Sequence, residues 1–147
     1  MMDPLQSFYD YCDANNVDVM SYSQLPADAC TVRDHSYYCV VFNPTTLNSF
    51  RRLRTAVIHE EGHLRTGALH KVDSPYQLVA QAEYRADAES FRRYLPPNKI
   101  GAAMRAGYTE PWQLADYFDL DEDYIKKALH YWTECKAIRF DAEMGAE

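Results

Sequence analysis

Apolar and polar positions change rhythm twice along this chain of 147 residues. In residues 3–15, Leu5, Phe8, Tyr9 and Cys12 recur three or four apart, the spacing of one face of an amphipathic helix. From Val17 the period shortens to two. "VDVMSYSQLP" predicts a strand ended by Pro26, and "CTVRDHSYYCVVF" predicts two strands around a tight turn. With Asp34 and His35 as the loop residues, Cys30 faces Cys39 directly, as a non-hydrogen-bonded pair close enough for a disulfide. A reducing compartment would instead leave them as two idle thiols. Cys30, Val32, Tyr37, Cys39 and Val41 then share one face, expected to be the core face of a sheet of about three strands.

"NPTTLNSF" returns the chain to a helical period, with Thr45 or Thr46 as the expected N-cap of a helix running to about Gly67. "DSPYQ" announces another start: Ser74 as cap, Pro75 at the first helical position and Gln77 placed to complete a capping box. Pro96 and Pro97 stop that helix. A short helix ending near Gly107 and two more, at 110–118 and 122–136, fill the remainder. The expected architecture is α+β, a small sheet packed on a helical majority. The length fits one domain spanning residues 1–147, of which 96–147 form a helical extension.

Composition narrows the partners. A net charge of -7 opposes direct binding to nucleic acid or anionic lipid, both of which need clustered Lys and Arg. Arg51, Arg52 and Arg54 form the one conspicuous basic cluster and read as a solvated helix face. No apolar run is long enough to span a bilayer, and no charged-then-apolar leader opens the chain, so a cytoplasmic location is expected. Four cysteines without C-x-x-C spacing give no zinc ribbon or thioredoxin-type motif.

The chemistry is concentrated in "AVIHEEGHLRT", residues 56–66. Titratable groups inside an apolar helical run need a partner, because burying them unpaired costs several kcal/mol. Residues four apart in a helix are separated by about 400° of rotation, so His59 and His63 project from one side and can reach the same ion. This is the H-E-x-x-H arrangement: two histidines bind Zn²⁺ and the glutamate after the first, Glu60, serves as general base. Gly62 inside the motif would let a neighbouring backbone approach closely.

A catalytic zinc needs a third protein ligand and an open position. On the helix beginning at Pro75, Tyr76, Ala80, Glu83, Asp87, Phe91 and Tyr94 fall along one stripe, which places two carboxylates in an apolar seam. Glu83 could complete the metal site, and Asp87, one turn on, could accept the free N–H of a ligating histidine. His70 is the rival third ligand, but the metzincin spacing would require glycine at Thr66 and histidine at Leu69. Tyr76 and His35 are weak candidates for donors to an oxyanion, each with a simpler role in the core or a loop.

"IHEEGHLRTG" followed by "EYRADAESFRRYLPP" resembles the ImmA/IrrE family of small cytoplasmic metallopeptidases, in the gluzincin group that includes thermolysin. The resemblance covers about residues 15–97 and is most specific in the E-x-x-A-D segment and the closing L-P; Ser90 departs from it, standing where alanine is usual. It implies a small zincin (minigluzincin) fold with an edge strand above the active-site helix. It further implies His59, His63 and Glu83 as zinc ligands, Glu60 as catalytic residue, and a protein substrate, often a transcriptional repressor of a prophage or other mobile element. By fold analogy, the substrate is expected to lie extended along the strand around Tyr38 to Phe42 by β-augmentation.

"PWQLADYFDLDEDYIKKALHYW" has the look of a helix-turn-helix and supports a rival class, a DNA-binding regulator with a structural metal site. Its charge opposes that reading: the would-be recognition helix opens with Asp121, Glu122 and Asp123, which would face phosphates. A helical pair whose Tyr124, Ala128, Tyr131, Trp132 and Cys135 pack on the catalytic core accounts for the same pattern. A non-catalytic protein-binding module is the third class, against which the intact H-E-x-x-H stands.

Overall fold

A computed structural model of the chain describes residues 3–69 and 75–140. The architecture is α+β, with six α-helices and one three-stranded mixed sheet among the described residues. No described helix is long and apolar enough to cross a membrane. The chain divides into two compact units, Met1–Ser90 and Phe91–Glu147.

In the first unit, α1 (Pro4–Asn15) starts at Asp3, whose side chain accepts the Leu5 N–H, and buries Phe8 and Cys12. Strands β1 (Asp18–Ser21), β2 (Ala29–Asp34) and β3 (Tyr37–Phe42) follow. Their order in the sheet is β1-β3-β2, with β1 parallel and β2 antiparallel to β3. Phe8 meets Phe42 edge to face at 5.9 Å between ring centroids, which seats α1 on the central strand.

The hairpin turns one residue later than its sequence suggests. Its loop is His35-Ser36, with His35 in the left-handed region at φ 55°, so Asp34 pairs with Tyr37 and Cys30 with Val41. Cys39 consequently faces Val32, and all four cysteines are free thiols. The core face is also the opposite one. Val40 and Phe42 are buried, whereas Val32 and Tyr37 are exposed. "YYCVVF" is apolar on both sides of the pleat, so alternation alone could not choose the face; packing against the next helix does.

That helix, α2 (Phe50–Thr66), begins at Ser49, whose hydroxyl accepts the Arg52 N–H. Thr45 and Thr46, the expected caps, are instead held in a turn by Asn43: its Oδ1 accepts from the Thr45 N–H and hydroxyl, and its carbonyl from Thr46. Gly67 ends α2 in the left-handed conformation at φ 67°, donating its N–H to the His63 carbonyl. Arg52 forks onto Asp28 through two 2.9 Å bonds, and Arg54 reaches Asp3 at 3.2 Å, so these arginines tie elements together. Helix α3 (Tyr76–Tyr94) follows Pro75; the expected cap Ser74 lies outside the described residues.

The second unit holds the end of α3 and α4 (Pro97–Arg105), α5 (Pro111–Phe118) and α6 (Glu122–His130). Gln113 Oε1 accepts the backbone N–H of Glu110 and Thr109, closing the start of α5. Phe91 packs on Tyr124 and Tyr131 at 5.1 and 5.5 Å between centroids, and the Trp132 indole donates to the Leu95 carbonyl at 2.8 Å. Of the expected buried stripe, Tyr124, Ala128, Tyr131 and Trp132 are buried but Cys135 is exposed. The reason is a π-helical turn, Tyr131–Cys135, which widens the helix and rotates its last residue out of phase.

Candidate metal centre

Helix α2 is buried over an unbroken stretch from Glu60 to Leu64, polar residues included, because α1 and β2 pack against it and the Ala86 backbone of α3 meets it at Gly62. Helices α2 and α3 come close at Gly62. A methyl group built there would overlap the Ala86 carbonyl oxygen, so the absence of a side chain is what lets the helices come this near. Ala82 and Ala86 are buried at this contact, and Glu83 and Asp87 lie beside them on the same face. The stripe read from the sequence is therefore right at Glu83 and Asp87 and wrong at its start. Tyr76 is 84 % exposed and Ala80 is exposed as well, because the packed face of α3 centres on the small residues.

His59, His63 and Glu83 converge. The two Nε2 atoms lie 3.2 Å apart; Glu83 Oε2 is 2.8 Å from Nε2 of His59, and Oε1 is 3.2 Å from Nε2 of His63. The other ring nitrogens are occupied: His59 Nδ1–H donates to Asp87 Oδ1 at 2.8 Å, and His63 Nδ1–H to the Ala68 carbonyl at 2.6 Å. A carbonyl oxygen can only accept, so His63 carries a proton on Nδ1, and its Nε2 faces the cluster. Both Nε2 atoms and the Glu83 carboxylate thus face one spot, where protons on the rings hold them together in the absence of a metal and a cation could take the protons' place.

The group fits a metal ion. Ligands about 2.0–2.2 Å from a tetrahedral zinc are spaced about 3.3 Å apart, close to the distances found here. Asp87 and the Ala68 carbonyl act as the outer acceptors that fix ring orientation at such sites. Glu83 is the most open of the three, its side chain 39 % exposed against 6 % for His63, so the cluster faces solvent on the α3 side.

Charges follow from this geometry. Burial alone would lower His59, but its bonds to Asp87 and Glu83 and the field of Glu60 push it up to about 10. His63 is likewise raised: burial opposes the proton, and the Glu83 bond outweighs it. The same two histidines hold the Glu83 carboxyl far below the usual carboxylate range. Glu60, 4 % exposed, is pushed up by burial against the lowering influence of His59 and His63 and of its bond from Thr31. A raised carboxyl beside a cation site is suited to taking up and returning a proton.

Two groups escaped the sequence reading. Thr31 on β2 donates its hydroxyl to Glu60 Oε1 at 2.9 Å, a pairing across 29 positions that no local pattern announces. The Ala68 carbonyl reaches His63 because Gly67 turns the chain back at the helix end, and a glycine just past a helical run was the available signal. His70, the rival ligand, lies outside the described residues. His35 is exposed at the hairpin turn, and Tyr76 is exposed at the start of α3. No protein-family model, curated protein or solved structure matches this chain.

Proposed function

We propose that this chain is a zinc-dependent endopeptidase of the ImmA/IrrE type, with a small gluzincin-like zincin fold. Its substrate is a protein, a repressor-type regulator of a prophage or mobile element, cut in the cytoplasm without direct contact of the enzyme with nucleic acid or membrane. The observation that carries the reading is the convergence of both Nε2 atoms and the Glu83 carboxylate beside the buried carboxyl of Glu60. The family assignment rests on "IHEEGHLRTG" and "EYRADAESFRRYLPP" as they stand in the sequence.

His59, His63 and Glu83 would hold a zinc ion, which would supply Lewis acidity to the reaction. The remaining work belongs to the chain. Glu60 accepts the proton of the attacking water and returns it to the leaving amine, tasks that favour a carboxyl pushed above its ordinary range. Asp87 and the Ala68 carbonyl keep the imidazoles aimed while this happens.

The substrate track needs correction. Tyr38 to Phe42 lie in β3, which is paired on both sides, so that strand offers no edge to an incoming peptide. The edge strand that touches α2 and reaches Glu60 is β2, and an extended substrate segment added there would pass over the site. The DNA-binding alternative finds no support in α6, whose first turn exposes Glu122 and Asp123.

Metal analysis of the native protein, followed by incubation with the regulator encoded beside it, tests the proposal. One zinc per chain and cleavage abolished by Glu60→Gln with zinc retained are expected. Stoichiometric zinc in His63→Ala would overturn the ligand assignment, and undiminished cleavage by Glu60→Gln would overturn the mechanism.

A further inference from the structure

Thr31 occupies a position where a hydroxyl is not needed for packing. It lies opposite Val40, whose exposure is 0 %, on the core face of the sheet. Valine has the same shape and β-branching and would bury there without a polar group to satisfy. The hydroxyl that distinguishes threonine from valine is spent on one acceptor, Glu60 Oε1 at 2.9 Å. Among the described residues, none hydrogen-bonds to Glu60 Oε2. The terminal torsion of a glutamate is broad and roughly two-fold, so a carboxylate without an anchor samples a range of orientations. A β-branched donor on a paired strand is a stiff anchor.

From this arrangement we propose that Thr31 is the positioning residue for Glu60, holding Oε1 so that Oε2 is the oxygen presented to the reacting water. The inference rests on the peptidase reading and extends it to the strand that carries Thr31. The Thr31 hydroxyl can keep donating to Oε1 throughout, because Oε1 accepts whether the carboxyl is ionised or protonated at Oε2. The proton taken from water therefore goes to Oε2, and leaves from it.

The test compares full-length, zinc-loaded wild-type, Thr31→Val and Thr31→Ser proteins, with an internally quenched peptide obtained by screening a mixture library against the wild type. Thr31→Val should lower kcat about 10- to 100-fold, the cost of a misaimed catalytic group, with KM and zinc content within about twofold of wild type. Thr31→Ser should restore kcat to within about threefold. Equal kcat in Thr31→Val and wild type overturns the proposal, and so does loss of zinc in Thr31→Val, which would mark a structural role. A second readout needs no turnover. In the proton NMR spectrum of the wild type, the Thr31 hydroxyl should appear as a slowly exchanging resonance and vanish in Glu60→Ala; its absence from wild type, or its persistence in Glu60→Ala, also overturns the proposal. A zinc-loaded wild type that cleaves no peptide overturns the peptidase reading instead, and the hydroxyl resonance still decides whether Thr31 orients Glu60.

Discussion

Replacing Gly62 with alanine should disturb the His59, His63 and Glu83 cluster without altering any of its side chains. The new Cβ would lie 2.9 Å from the Ala86 carbonyl carbon and closer still to its oxygen. Carbon atoms pack at about 3.5–4.0 Å, so clearing the carbon alone separates α2 and α3 by roughly 0.6–1.1 Å, and the nearer oxygen requires the upper end of that range. Overpacking of this kind costs about 1–3 kcal/mol. Because Ala86 precedes Asp87 and follows Glu83 by one turn, the displacement is passed directly to both carboxylates. It opens the 2.8 Å contacts that each makes with His59. Productive sites tolerate about 0.5 Å of misplacement, so zinc affinity should fall at least tenfold. Chelator competition measures the affinity and thermal unfolding the stability. Gly101→Ala is the control: its Cβ meets only the end of the Arg105 side chain, at 3.5 Å, and helix propensity should make it neutral or stabilising by about 0.5–1 kcal/mol. A folded Gly62→Ala protein with wild-type zinc affinity would refute the close-approach argument.

Asp87→Ala leaves the His59 Nδ1–H without its carboxylate and should weaken zinc binding about 10- to 100-fold by the same competition assay; unchanged affinity would remove Asp87 from the site. In zinc-free protein, His59 is raised from 6.5 to about 10, so its contribution to stability is full below pH 6.5 and is lost as pH rises through about 10. Glu83 is lowered from 4.5, so its contribution is full above pH 4.5 and is lost as pH falls through its folded-state value. The melting-temperature difference between wild type and His59→Ala should accordingly shrink from pH 6.5 towards 10, and a difference constant over that window would contradict the assignment. Pulse alkylation read by mass spectrometry should find four free thiols, with exposed Cys135 reacting first. Cys12, which burial pushes up from 9.0 to about 11, should be slowest, its thiolate fraction about 100-fold below that of an unshifted thiol.

The helices were legible because their signals are local. Gly67, Pro75 and the Pro96-Pro97 pair punctuate the chain at or within a residue or two of the ends of α2 and α3. The centre was legible for the same reason: the four-residue spacing of His59 and His63 fixes their common side, and Glu83 and Asp87 are one turn apart. The sheet was harder. Moving the hairpin loop from Asp34-His35 to His35-Ser36 changes every partner across the turn while leaving the composition of each face intact, so apolar alternation could not detect it. The parallel pairing of β1 with β3 made the strand assumed to be an edge the central one, a choice set by long-range contacts alone. Thr31 was missed because its partner lies on another element.

Helix α3 crosses the boundary between the two compact units, since Tyr76–Tyr94 includes both Ser90 and Phe91. The helical extension is therefore no removable appendage. Truncating the chain after the proline pair would strip Phe91 of Tyr124 and Tyr131 and leave a naked aromatic on the rod that carries Glu83 and Asp87. A fragment cut at the limit of the H-E-x-x-H and E-x-x-A-D signatures would keep His59, His63 and Glu83 and lose the far end of the element that presents Glu83 and Asp87.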